Sequence, residues 1–221
     1  MLNRLFPYRF ELYLASQLLV LFGSLIIPNA LYENFAVPLF MMLNLIFGLV
    51  LVSHNSYIKR VSFGLVILTF CLILFQFIDT KSALNNIKLG AYFMFYSIVT
   101  VEIIRQVWKA QIVSKNVILG LISGYISLGL LAFFLCLTIE IIYPGSFSGI
   151  TNFEGTTNIS EPLMYYAYIT LMTIGYGDII PQTGIAQKAS IFIGLIGQFY
   201  LVVLTAIVVG KYINQSHSKN N

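Results

Sequence analysis

Six apolar blocks, separated by short polar stretches, constrain this chain more than any other feature. They cover residues 10–27, 36–53, 61–78, 89–104, 117–142 and 186–210. Each runs about 16 to 26 residues, close to the length a helix needs to cross the hydrocarbon of a bilayer. In lipid every backbone N–H and C=O needs an internal partner, so such blocks predict helices. The chain has 221 residues, of which 58% are hydrophobic and 9% charged. Soluble domains carry roughly a quarter charged residues, so a soluble fold is excluded. The expected fold class is an all-α membrane protein with six transmembrane helices. The first block resembles a secretion signal in length, but no small-residue cleavage site follows it and five more blocks do, so it is retained as a helix.

Between the last two blocks lies a shorter segment, 161–172, which is too short to span and fits a re-entrant helix. A glycine-rich stretch, 173–178, follows it directly. Pro28 and Pro38 bracket the first loop, and Pro144 and Pro162 bracket the last long one. Each stands where a helix is expected to stop or start.

The basic residues set the orientation. With both termini cytoplasmic, nine of them lie inside: Arg4, Arg9, Lys59, Arg60, Arg105, Lys109, Lys115, Lys211 and Lys219. Three lie outside: Lys81, Lys88 and Lys188. Glu33, Asp79, Glu140, Glu154, Glu161 and Asp178 are then external, and Glu11 and Glu102 are not. This places the glycine-rich stretch near the outer face of a multi-pass protein of the cell membrane. The net charge of +4 is a topological signal, since no basic cluster lies away from juxtamembrane positions, and a nucleic-acid partner is not expected. Cys71 and Cys136 both fall within apolar spans, read as small buried hydrophobes, and their spacing holds no metal pattern. Too few ionisable residues are present to form a catalytic constellation, so an enzyme is not expected, nor is a cofactor.

The stretch Thr173-Ile174-Gly175-Tyr176-Gly177-Asp178, led by Thr170-Leu171-Met172 and preceded by Tyr165-Tyr166-Ala167-Tyr168, carries a resemblance. It is similar to the selectivity filter of potassium channels, usually Thr-Val-Gly-Tyr-Gly-Asp. From Val117 to Tyr212 the order helix, short helix, filter, helix resembles the pore module of that family over nearly half the chain. With four helices before it, the layout resembles six-transmembrane-helix potassium channels of prokaryotic type. The resemblance implies that the carbonyls of Thr173, Ile174, Gly175 and Tyr176 line K+ sites, with the Thr173 hydroxyl closing the innermost. Gly175 and Gly177 supply conformations closed to residues with a Cβ, so that successive carbonyls can face one axis. Ile174 replaces the more frequent valine, a conservative departure. Tyr176 is expected to point outward against pore-helix aromatics, of which Tyr165 and Tyr166 are best placed. One filter per chain supplies a quarter of a ring, implying a homotetramer.

Other residues are weighed on the same resemblance. Asp178 is expected to buttress the filter from outside, the alternative being a solvated turn carboxylate. Glu140 resembles a glutamate that caps backbone amides behind the filter, the alternative being an interfacial charge reaching water. Some channels carry a glutamate where this chain has Ile169, so a carboxyl pair with Asp178 cannot form. Gly194 and Gly197 are gating-hinge candidates, Gly197 the better match, with close helix packing the competing reading. Gly210 reads as a helix end. Asn158-Ile159-Ser160 matches a glycosylation acceptor, a triplet frequent by chance.

The voltage-gated members of this layout carry basic residues every third position of the fourth helix. Here none occurs between Lys88 and Arg105, and Asn44 and Gln76 stand where countercharges are expected. One charge crossing the field supplies about 2.3 kcal/mol per 100 mV, and steep gating takes roughly three or four per subunit. Weak or absent voltage sensing follows. Glu102 and Arg105, one turn apart, are expected to pair locally, and Asn44 to act as interhelical glue. Residues 1–116 are thus read as a sensor-like four-helix bundle and 117–221 as the pore domain. About eleven residues follow Gly210, too few for a nucleotide-binding or calcium-sensing domain. The expected partners are potassium ions, membrane lipids and further copies of the chain. The alternatives are a weakly selective cation channel and a non-conducting regulatory subunit.

Overall fold

The computed structural model describes residues 6–27, 36–52, 56–76, 82–150 and 159–220. Arg4, Pro28, Glu33, Asp79, Lys81, Glu154 and Asn158 lie outside the described residues, as do the side chains of Gln76 and Lys219. Every apolar block forms a helix. In chain order they are α1 (Arg9–Phe22), α2 (Val37–Val52), α3 (Ser56–Gln76), α4 (Ser82–Lys109) and α5 (Lys115–Ile142), then the short α6 (Ser160–Leu171). The last block forms α7 (Gly184–Phe199), a π-helical turn (Tyr200–Leu204) and α8 (Thr205–Asn220). The chain is an all-α membrane protein in which four described helical stretches are long and apolar enough to cross a bilayer: Ser56–Leu74, Asn86–Lys109, Lys115–Ile142 and Gly184–Ser216. With 14 and 16 residues, α1 and α2 fall short of the ~20 residues of a straight crossing.

A feature absent from the sequence reading is a ribbon of two-residue strands, β1 (Phe147–Ser148) and β2 (Ile180–Pro181), paired antiparallel with Phe147 opposite Pro181. Two residues per strand leave no alternation to read.

The chain divides into two compact units, one of residues Met1–Gly124 with Lys211–Asn221, the other Tyr125–Gly210. The division falls inside α5, eight residues beyond the expected boundary after residue 116, and it assigns the end of the last helix to the first unit.

In the first unit Tyr13, Leu45, Phe95, Tyr96 and Ile103 are fully buried. Gly48 makes room for the Phe95 ring, because a Cβ there would fall 2.8 Å from its Cζ. Asn44 joins three helices: its Nδ2 donates to Ser16 Oγ at 2.9 Å, and its Oδ1 accepts from Tyr96 Oη at 2.7 Å. This geometry matches the interhelical role read for Asn44. Replacing it by leucine leaves the Tyr96 hydroxyl without that acceptor. Asn44→Leu is expected to destabilise the bundle by about 1–2 kcal/mol, measured as a shift in the denaturation midpoint in detergent.

Glu102 lies 3.8 Å from Arg105 as expected, and it also accepts from Gln106 Nε2 at 3.1 Å. Gln106 bridges further, donating to the Leu51 carbonyl and accepting from Arg9 Nε.

Two expectations are corrected. Cys71 is exposed on α3, because that helix turns this face away from its neighbours, whereas Cys136 is buried on α5. Gly210 does not end the last helix, which runs ten residues further to Asn220. The extension has tertiary support that outweighs the propensity of one glycine. Lys211 Nζ donates to the carbonyls of Trp108 and Ala110 at the end of α4, and Gln215 Oε1 accepts from the Val113 amide at 2.9 Å. A cation on helix-terminal carbonyls is favourable in both hydrogen bonding and dipole.

Candidate functional site

The second unit assembles around α6, whose twelve residues match the re-entrant segment read from sequence. Glu161 and Pro162 occupy its first turn, where a carboxylate meets the helix dipole and proline forfeits no bond. The helix stops because the chain turns back onto its own last carbonyls. Thr173 N donates to the Thr170 carbonyl at 3.0 Å, and Ile174 N and Gly175 N both donate to the Ile169 carbonyl, at 2.8 and 3.4 Å. Ile169 thus contributes its carbonyl to the loop, although its side chain supplies no carboxylate.

Every second residue of the loop then has positive φ: Thr173 at 59°, Gly175 at 56° and Gly177 at 81°. Backbone that alternates in hand carries successive peptide dipoles to one side, unlike a strand, in which they alternate. Glycine accepts this freely, but for a β-branched threonine it is a strained conformation of the kind held at functional sites. Thr173, Gly175, Tyr176 and Gly177 are all exposed in the single chain, Tyr176 at 71%, and so is Ile174.

Three tyrosines of α6 fasten this helix to its surroundings. Tyr165 Oη donates to Asp178 Oδ2 at 2.7 Å, bringing two predicted site residues together across the loop. Tyr166 Oη pairs with Ser190 Oγ of α7 at 2.6 Å while its ring meets Phe147 at 5.1 Å. Tyr168 Oη donates to the Ile126 carbonyl of α5 at 2.8 Å, its ring lying where any side chain at Gly129 would stand. Tyr165 therefore secures Asp178, and Tyr166 secures α7.

Beyond the loop, Glu140 of α5 holds the connection that follows its own helix: Oε1 accepts from the Gly145 amide at 2.8 Å and Oε2 from the Phe147 amide at 3.0 Å. The two amides belong to the connection leading into β1, which pairs with the segment that follows the loop. Gly197 lies against the end of α6. A Cβ there would overlap the Leu171 carbonyl oxygen and fall 3.0 Å from Leu171 Cδ1, while at Gly194 the nearest atom is the Thr170 oxygen at 4.0 Å. Of the two hinge candidates Gly197 is thus closely packed, whereas Gly194 has room for a side chain. The π-helical turn begins three residues after Gly197, a position often used functionally. Tyr125 adds a hydrogen bond to the Leu171 carbonyl at 3.2 Å and a tilted ring contact with Tyr200.

Tyr125, Tyr168, Gly129 and Ser190 escaped the sequence reading. Tyr168 belonged to the aromatic run before the filter and could have been found there; Gly129 lies in an apolar helix where nothing local distinguishes it.

After the loop, the hydrogen bond from the Tyr165 phenol holds the Asp178 carboxyl below the ordinary carboxylate range, and the same bond pushes the Tyr165 phenol up to about 12. The two signs bound the pH window. A lowered carboxyl contributes stability above its unfolded pKa and loses it only as pH falls through the lowered value. A raised phenol contributes below its unfolded pKa near 10 and loses it as pH rises towards about 12. The pair is expected to persist from mildly acidic to moderately alkaline pH. Tyr165→Phe is expected to return the Asp178 carboxyl upward towards the ordinary range. With only two aspartates in the chain, carboxyl-carbon NMR of aspartate-labelled protein reads the change directly; an unmoved titration would contradict it.

The second unit thus sets a short helix, and a loop of alternating hand that follows it, between two apolar helices. Residues 122–214 match the family described as "Ion channel". A curated relative is "Two pore potassium channel c" of Oryza sativa subsp. japonica, 37% identical over 75 residues, which are 34% of this chain and 16% of the relative. The matched segment therefore spans a small part of that relative's length. No solved structure matches the chain.

Proposed function

We propose that this chain is a potassium-selective channel that conducts K+ passively as a homotetramer. Four copies of residues 173–177 then surround one axis, with K+ held by the carbonyls of Thr173, Ile174, Gly175 and Tyr176 and by the Thr173 hydroxyl. One observation carries the reading: a Thr-Ile-Gly-Tyr-Gly loop with positive φ at every second residue, mounted on a re-entrant helix inside an ion-channel domain. Carbonyl rings of this kind replace the hydration shell of a permeant ion. The name of the rice relative agrees with the choice of ion. Assembly is supported by the exposed loop and by the exposed apolar side chains of Ile191, Phe192, Leu195, Phe199 and Val202 on the last helical stretch.

In this reading six helices per subunit cross the membrane, α1 and α2 with help from their flanking residues, and both termini are cytoplasmic. The first four helices respond weakly or not at all to voltage, since α4 carries no basic residue between Lys88 and Arg105 and its middle is filled by Phe95, Tyr96, Val99 and Thr100. Recordings over a wide voltage range test this; steep opening lost on deleting residues 1–110 would overturn it.

The test of function is flux. Purified protein in liposomes is expected to release a potassium gradient, with block by barium. Equal flux of sodium would favour a weakly selective cation channel. Absence of flux from the chain alone, restored by adding another channel subunit, would favour a regulatory subunit.

A further inference from the structure

We propose that Gly149, in the outer connection and remote in sequence from the filter, is a positioning residue for the filter's outer end. Its effect on ions rests on the channel reading above; its effect on geometry does not. Gly149 has φ of +90°, and a Cβ there would overlap the carbonyl oxygen of Asp178 and lie 3.1 Å from its carbon and 3.3 Å from Ile179 Cα. These are backbone atoms, so no rotamer change can relieve the contact. Asp178 immediately follows Gly177, and a shift of its peptide is a shift of the loop's last residues.

Neither side of this contact is free to withdraw. The Gly149 side is held by β1, which pairs with β2, by the Gln182 amide bonded to the Ser146 carbonyl at 2.8 Å, and by Glu140 on the Gly145 and Phe147 amides. The Phe147 side chain is 2% exposed, packed on Tyr166. The Asp178 side is tied to α6 through Tyr165 at 2.7 Å. The last residues of the loop are thus set between Gly149 and Tyr165. A methyl group at 149 has to displace Asp178, and with it the Tyr165 bond.

Gly145 supplies a matched comparison. Its φ is +82°, so alanine there meets a similar backbone cost, yet no atom lies within 4 Å of the Cβ position.

The experiment uses the full chain reconstituted in liposomes, with 3-fluorotyrosine at position 165. In Gly149→Ala the fluorine resonance is expected to shift and potassium flux to fall at least about tenfold, the equivalent of about 1.4 kcal/mol. In Gly145→Ala neither is expected to change appreciably. An unmoved resonance in Gly149→Ala, or equal shifts in both variants, would overturn the proposal. Should Gly149→Ala lower the yield of folded protein, Tyr165→Phe, which releases Asp178 from α6, is expected to recover that yield in the double variant. No recovery would mean that Gly149 acts on its own loop alone, contradicting the proposal. If the parent chain passes no potassium while the fluorine pattern holds, the channel reading fails and the positioning role stands.

Discussion

In the proposed homotetrameric channel, Gly177→Ala is expected to abolish potassium flux while leaving the assembly intact. Gly177 has φ of +81° with open space around its Cβ position in the single chain, so the penalty is one of backbone conformation and not of local crowding. Left-handed backbone costs a residue with a Cβ about 1–2 kcal/mol. The proposed ring contains four copies, so its conducting conformation loses about 4–8 kcal/mol, a thousandfold or more in population. Gly175, at φ of 56°, is expected to behave alike. Flux per assembled tetramer is the measurement, with assembly read by cross-linking. Flux within about twofold of the parent would mean that the alternating backbone of 173–177 is not what conducts.

Glu140→Ala is expected to be the most destabilising single change in the connection between α5 and α6. It removes both acceptors from the Gly145 and Phe147 amides. A buried amide left unsatisfied costs about 1–3 kcal/mol, so two cost about 2–6 kcal/mol per protomer, less whatever water recovers at the exposed Gly145. Phe147 is buried, and its amide recovers least. Glu140→Gln retains one carbonyl acceptor and is expected to fall between parent and alanine. Thermal unfolding of the assembled protein measures the series. If alanine and glutamine behave alike, Glu140 is a surface charge at the membrane interface and not a cap.

Gly197 is expected to respond to size rather than to flexibility alone. Because a Cβ there meets the Leu171 backbone, alanine pushes the last helix off the end of α6 before it stiffens any hinge. The adjoining π-helical turn at 200–204 supplies local freedom that does not depend on a glycine.

Much of this arrangement was legible in the residues. Apolar blocks of membrane length gave the helices, because lipid allows the backbone few alternatives. The short segment before Thr173 could be read as re-entrant from its length, and Gly175 and Gly177 marked backbone of unusual hand. What the sequence did not disclose is tertiary. Gly129 beneath Tyr168, Gly149 against Asp178 and Gly197 against Leu171 are each an absence of side chain whose meaning lies on another element. The β1–β2 ribbon joins segments distant in sequence through strands of two residues, too short to leave a pattern. Gly210 read as a helix end because propensity was the only term in view; Lys211 and Gln215 reverse that by binding residues about a hundred positions earlier. The outward face of Cys71 depends on which side of α3 meets its neighbours, and α3 is apolar all round.

In the proposed channel four copies of one loop choose potassium. The reversal potential of the purified chain in a bilayer between mixed potassium and sodium solutions tests it most directly. A potassium-selective ring predicts a shift of about 59 mV for each tenfold change in the potassium ratio, with little response to sodium. A reversal potential that stays near zero as the potassium gradient is varied would contradict it.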